Sequence, residues 1–162
     1  MVQRRFRPWQ SSQGLTLPEL LIAVVIVGLL SSIALPKYMN SIKATRQKDV
    51  ANQIANIQTS IEAYREEFLA NPSGWDALAR IAPINTNNGG AKGTSFSTIT
   101  SPNGGSYSIA ISSSADLFSI TGTPVASGSA QWDIKACLNT QTGLSDIKLG
   151  NGTTAAATPV CT

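Results

Sequence analysis

The hydrophobic positions of this chain fall into two regimes. From Leu15 to Leu35 apolar residues run almost unbroken, LTLPELLIAVVIVGLLSSIAL, with one carboxylate, Glu19, near the start. A membrane span needs about 20 apolar residues, and this run is long enough. Further on the apolar positions become spaced. Ile42, Val50, Ile54, Ile57, Ile61, Tyr64 and Phe68 fall on one face, and from Val50 the steps alternate four and three, as in an amphipathic helix. Lys43, Arg46, Lys48, Glu62, Arg65 and Glu66 largely take the other positions. The pattern predicts one long helix, apolar all round in its first half and on one stripe in its second. Such a helix of roughly 55 residues would be ~80 Å long at 1.5 Å per residue. Pro36 interrupts the pattern and should kink it, because proline lacks a backbone donor and crowds the preceding turn. Gly28 adds a second flexible point. Asn71-Pro72-Ser73-Gly74 carries breaker chemistry and ends the helix.

Beyond the helix the period changes from 3.6 to 2. Trp75 to Ile81 predicts a short helical turn, and Pro83 to Gly93 an Asn/Gly-rich loop. After the turn signal Asn103-Gly104-Gly105, Ser106 to Ser112 alternates, with Tyr107, Ile109 and Ile111 on one face. Leu117 to Thr121 predicts a second strand, ended by Gly122 and Pro124. Gln131 to Leu138 predicts a third, with Trp132, Ile134, Ala136 and Leu138 on one side and Asp133, Lys135 and Cys137 on the other. Thr140 to Gly143 turns the chain into Leu144 to Leu149. Three or four short antiparallel strands result, with one apolar face. That face and the stripe on Val50 to Phe68 each need a cover, and packing one on the other gives an α+β fold. Trp132, Tyr107 and Phe118 are expected in its core. The sequence divides into a polar leader (1–14), an apolar helix (15–36), its amphipathic continuation (37–71), a connecting region (72–105) and a sheet with a C-terminal tail (106–162).

Charge locates the leader. The formal net charge is +3, from twelve Lys/Arg and nine Asp/Glu. Three of the cations, Arg4, Arg5 and Arg7, precede Gly14, so the remainder holds nine against nine. Basic residues ahead of an apolar span favour a cytoplasmic N-terminus. A cleaved secretory signal would end in small residues. Ser31 to Ala34 is weakly of that kind, but the helical pattern continues past it. Cys137 and Cys161 form an even pair, which in an exported domain predicts one disulfide.

Several chemistries lack their residues. The chain has no His and no CxxC, so no zinc or redox site is expected. Asp76, Asp116, Asp133 and Asp146 are too scattered to predict a calcium site. Ser113 and Ser114 have no visible base, and no enzyme activity or cofactor is expected. Lys92, Lys135 and Lys148 are isolated, which argues against a duplex-binding surface and makes nucleic acid an unexpected partner.

A carboxylate inside a membrane helix costs about 2.5–3.5 kcal/mol at the centre and marks a functional site by default. Gly14-Leu15-Thr16-Leu17-Pro18-Glu19-Leu20-Leu21 resembles the prepilin peptidase site of type IV pilins and of the pseudopilins of type II secretion. That family carries a Gly, a large apolar residue that is usually Phe, then Thr-Leu-x-Glu-Leu. Gly28 and Pro36 also stand where the family tends to carry a glycine and a proline. Leu15 replaces the commoner Phe, and Pro18 follows a variant seen in many minor pilins. A proline in the first helical turn is benign, since its missing N–H has no intrahelical acceptor there.

The resemblance implies a pilin-like fold and a structural role. A peptidase on the cytoplasmic side would cut between Gly14 and Leu15 and methylate the Leu15 amine. Glu19 would pair with the amine of a neighbouring subunit. The apolar helices would form a filament core, drawn from the membrane by an assembly platform and its ATPase. The implied partners are other pilin subunits, the prepilin peptidase, that machinery, and membrane lipid before assembly. The implied location is the inner membrane as a single-pass protein, then an extracellular pilus or a periplasmic pseudopilus. A type IV pilus subunit is the leading expectation, with a pseudopilin or a minor pilin acting as a tip adhesin or DNA-binding module as alternatives.

Overall fold

A computed structural model describes residues 14–102 and 104–162. The basic cluster Arg4, Arg5 and Arg7 lies outside the described residues, as does Asn103 of the expected turn. Two units divide the chain, one ending at Tyr38 and one starting at Met39.

Helix α1, Leu17–Phe68, contributes to both. In the first unit its apolar side chains are exposed: Leu20, Val24, Leu29 and Ile33 are each more than half accessible. No stripe is buried, as the all-round apolar pattern requires. The span is long and apolar enough to cross a membrane, with mean hydropathy 2.3 over its best window. Pro36 lies inside the helix, which continues past it to Phe68. It ends three residues before the expected breaker begins. Leu69 follows at φ 51°, donating its N–H to the Arg65 carbonyl at 2.8 Å. This is the left-handed residue that commonly closes a helix, here without the usual glycine.

In the second unit, helix α2 (Trp75–Leu78) and a two-residue hairpin, β1 (Asn85–Thr86) with β2 (Gly89–Gly90), precede the main sheet. That sheet holds β3 (Ile99–Thr100), β4 (Tyr107–Ser114), β5 (Leu117–Pro124), β6 (Ile134–Asn139) and β7 (Leu144–Leu149), all antiparallel and in chain order. The structure adds β3 and the small hairpin to the expected strands. Both are two residues long, too short to show a period. Strand β5 runs through Gly122 to Pro124 instead of stopping, because full pairing with β4 extends to Tyr107↔Pro124.

The core lies between the stripe of α1 and one sheet face. Val50, Ile54, Ile57 and Ile61 are buried against Ile109, Ile111, Phe118, Ile120, Ile134 and Leu138. Gly122 faces Ile109 and Ile134 across the sheet. A Cβ there would come within 3.3 Å of Ile54 Cδ1, so the glycine lets the helix settle closely. Trp75 closes one side, stacked edge-on against Phe96 with centroids 5.2 Å apart and donating Nε1–H to the Ser97 carbonyl. Phe118 and Tyr107 are core residues as expected. Trp132 is only partly buried and stands in a 3₁₀ turn, Ala130–Trp132, not in β6. Its carbonyl accepts the Tyr107 hydroxyl at 2.8 Å, an irregular bond that strand periodicity could not foresee.

Two glutamines fix the helix on the sheet. Gln47 Nε2 donates to the carbonyls of Asp133 and Gly150, at 3.1 and 2.8 Å. Gln58 Nε2 donates to the Cys137 carbonyl at 2.7 Å. Both are buried. A buried amide is costly unless bonded, so these contacts specify one seating of the helix.

Candidate functional site

The start of α1 is built by its own residues. Thr16 precedes the first helical residue, and Leu20 N–H donates to its carbonyl at 3.2 Å. Thr16, Leu17, Pro18 and Glu19 form the S/T-x-x-E spacing of a capping box. Glu19 Oε2 accepts from the Thr16 backbone N–H at 2.8 Å and from the Thr16 hydroxyl at 2.7 Å. The carboxylate thus meets the positive end of the helix and satisfies a donor there. Both bonds reach one oxygen. Among the described residues Oε1 is left for a further donor.

Gly14 and Leu15 stand just outside the helix and are exposed. A Cβ on Gly14 would meet nothing within 4 Å, and its φ lies outside the left-handed region. Nothing in the packing of the described residues demands glycine at this position. Gly28, inside α1, is equally unconstrained. The carboxylate, the exposed glycine and the accessible apolar helix are therefore brought together by local sequence alone.

At the other end of the chain, Cys137 of β6 is joined to Cys161, with Cα atoms 6.0 Å apart. Cys137 points away from the helix stripe, as its alternation predicts, yet is buried because the tail covers that face. The tail is held by further bonds that sequence reading missed. Asp133 Oδ1 accepts from Ala156 N–H at 2.7 Å, Lys135 Nζ donates to the Ala156 carbonyl at 2.9 Å, and Asn139 Nδ2 donates to the Cys161 carbonyl. Asp146 Oδ2 accepts from Val160 N–H at 2.9 Å, and that bond, with Lys148 beside it, holds its carboxyl below the usual range.

The remaining carboxylates beyond the helix also have structural work. Asp116 Oδ1 accepts from Asn71 Nδ2 and from Arg65 Nη1 at 2.7 Å, and those bonds hold its carboxyl below its ordinary value. Thr140 completes this cluster by donating to Asn71 Oδ1. Asp76 Oδ1 accepts from Gly93 N–H. Among the described residues no three acidic, His or Cys side chains gather as a metal set would.

Comparison with known proteins bears on the N-terminal segment. A family model described as the prokaryotic N-terminal methylation motif matches residues 9–35. "Type II secretion system core protein G" of Klebsiella michiganensis is 39% identical over 73 residues, 44% of this chain and 51% of that protein. "Type IV major fimbrial protein FimA" of Dichelobacter nodosus is 40% identical over 50 residues, 31% of this chain and 32% of that one. "Competence protein ComGC" of Halalkalibacterium halodurans is 28% identical over 74 residues, 46% of this chain and 72% of that protein. The chain spans about half the length of the first of these and a third of the second. No solved structure matches.

Proposed function

We propose that the chain, whose N-terminal segment is similar to type IV pilins and pseudopilins, is a structural subunit of a type IV pilus. The observation that carries this reading is the coincidence, within 23 residues, of Gly14, the capped Glu19 and a helix whose apolar surface is uncovered. An exposed apolar surface of this size needs lipid or other helices around it. Lipid would serve before assembly, and the helices of other subunits afterwards.

In this reading prepilin peptidase cuts between Gly14 and Leu15 and methylates the Leu15 amine. Cutting there leaves the Thr16–Glu19 cap intact, so the mature helix keeps its first turn. Glu19 Oε1 would then receive the amine of a neighbouring subunit, which offsets the cost of taking the carboxylate into an apolar bundle. Gly28 and Pro36 are the proposed bending points, where the helix could follow its neighbours. An assembly platform and its ATPase would extract the subunit from the inner membrane. The second unit, with its tail fastened to β6, would face outward.

A short periplasmic pseudopilus is the second reading, favoured by the likeness to a secretion core protein. Intact-mass spectrometry of filaments sheared from cells, beside the envelope fraction, separates the two. A species starting at Leu15, carrying one methyl group and abundant in the sheared material, is the expected result. The same species confined to the envelope would favour the pseudopilus. A chain still starting at Met1 in both fractions would overturn the proposal.

A further inference from the structure

A groove of about 640 Å³ opens at the start of the second unit. Met39, Ile42, Lys43 and Arg46 of α1 form one wall, with Val125 and Trp132 opposite. Its character is amphiphilic. Met39 and Val125 are more than half exposed, and an exposed valine beside a partly buried tryptophan offers an apolar floor. Lys43 and Arg46, three residues apart, share a helix face. Neither joins the ion pairs formed among the described residues. From Lys37 to Lys48 the sequence holds four cations, Lys37, Lys43, Arg46 and Lys48, and no carboxylate.

The groove's place in the sequence identifies its occupant. Met39 follows Pro36, where the apolar run ends, by three residues. At 1.5 Å per helical residue, Lys43 and Arg46 come ~10 and ~15 Å of helix after that point. The headgroup layer on each side of a bilayer is roughly 5–8 Å deep, and Lys and Arg side chains snorkel several ångströms along a helix toward it. An apolar floor edged by two cations that join none of those ion pairs among the described residues suits a phosphate attached to an acyl chain. A purely polar anion would leave the floor uncovered.

We infer that this groove receives the headgroup of an anionic phospholipid, Lys43 and Arg46 bonding the phosphate while Met39 and Val125 meet the upper acyl chain. The inference rests on the membrane-anchored state proposed above. It gives the subunit a lipid preference that a simple apolar anchor would lack.

The test uses the full chain in nanodiscs containing equal phosphatidylglycerol and phosphatidylcholine, with a photoreactive phenylalanine replacing Val125. Flotation first establishes insertion, and non-reducing mass analysis establishes the Cys137–Cys161 bond. Crosslinking to phosphatidylglycerol in clear excess over phosphatidylcholine is expected. Each cation near an anionic surface is worth roughly fivefold in affinity, so Lys43→Gln with Arg46→Gln should lower that excess about twenty-five-fold. The charge-preserving pair Lys43→Arg with Arg46→Lys should keep most of it. Lys92→Gln, on the exposed loop between β2 and β3, should leave it unchanged. Equal labelling of the two lipids in an inserted chain would overturn the headgroup site while leaving the anchor intact. Labelling of a second copy of the chain would overturn it too, and assign the groove to subunit contact. A chain that fails to float would remove the membrane premise and this inference together.

Discussion

At the residue scale, Glu19 and Gly14 have separable roles. Glu19 caps its own helix through Thr16, a local contact at an exposed, solvent-screened helix start. A screened local cap leaves the placing of a carboxylate in an apolar run to the proposed assembly role. Glu19→Ala is expected to be cleaved normally but to enter filaments poorly, measured as the ratio of processed protein in sheared and envelope fractions. Gly14→Glu should accumulate the uncut precursor, since among the described residues Gly14 makes no packing contact whose loss could explain the defect. Leu69 offers a contrasting case. It is 89% exposed and sits at φ 51°, a conformation unfavourable for a side chain with a Cβ. Leu69→Gly should therefore stabilise the second unit by about 1 kcal/mol, read as a rise in the midpoint of urea unfolding.

At the element scale, α1 changes role along its length without changing conformation. Its first half is exposed on every side, while its second half buries one stripe in the sheet. Ile54 stands at the centre of that stripe, fully buried over Gly122. Ile54→Ala should destabilise the second unit by about 2–5 kcal/mol, because a rigid sheet cannot collapse into the cavity. Denaturant unfolding measures it, and membrane insertion of the first half should be unaffected. A second element-level link is the Tyr107 hydroxyl, which donates from β4 to the carbonyl of Trp132 in the 3₁₀ turn. Burial, with the nearby Asp133 charge, pushes its pKa up to about 12. A folded-state pKa raised above the unfolded value of about 10 gives stability that is complete below pH 10. That stability is lost as the pH rises toward 12. The loss should reach about 2 kcal/mol, seen as alkaline destabilisation, and should be absent in Tyr107→Phe.

At the scale of the whole molecule, the second unit is fastened at its ends as well as its centre. The cluster of Arg65, Asn71, Asp116 and Thr140 ties the C-terminal end of α1 to the β4–β5 turn and to the residue following β6. The disulfide ties the tail to β6, with Asp133, Lys135, Asn139 and Asp146 holding the intervening backbone. Closing a loop of 24 residues contributes about 3 kcal/mol in the chain-entropy account. Cys161→Ser should lower stability by about that amount and make the tail the first site of proteolysis. Limited digestion followed by mass analysis detects both effects, and the Leu15 processing site should be unaltered.

Local signals in the sequence determined the N-terminal half and the candidate site. An apolar run, an amphipathic stripe and the Thr16–Glu19 spacing each act over one or two helical turns, so neighbouring residues suffice to specify them. The alternating residues of β4 and β6 were legible for the same reason, since alternation is a property of adjacent positions, and β7 was legible from the turn that leads into it. Tertiary structure decided what depends on distant partners. Strand β3 exists because Ile99 and Thr100 pair with Ile109 and Ser108, not because two residues carry a pattern. Trp132 left the strand because the turn carrying it is bonded to Tyr107. Gln47 and Gln58 look like polar positions on a helix, and only the sheet carbonyls opposite them make their burial favourable. The tail has no period of its own. Its path follows from one covalent bond and from side chains on the sheet face opposite the helix.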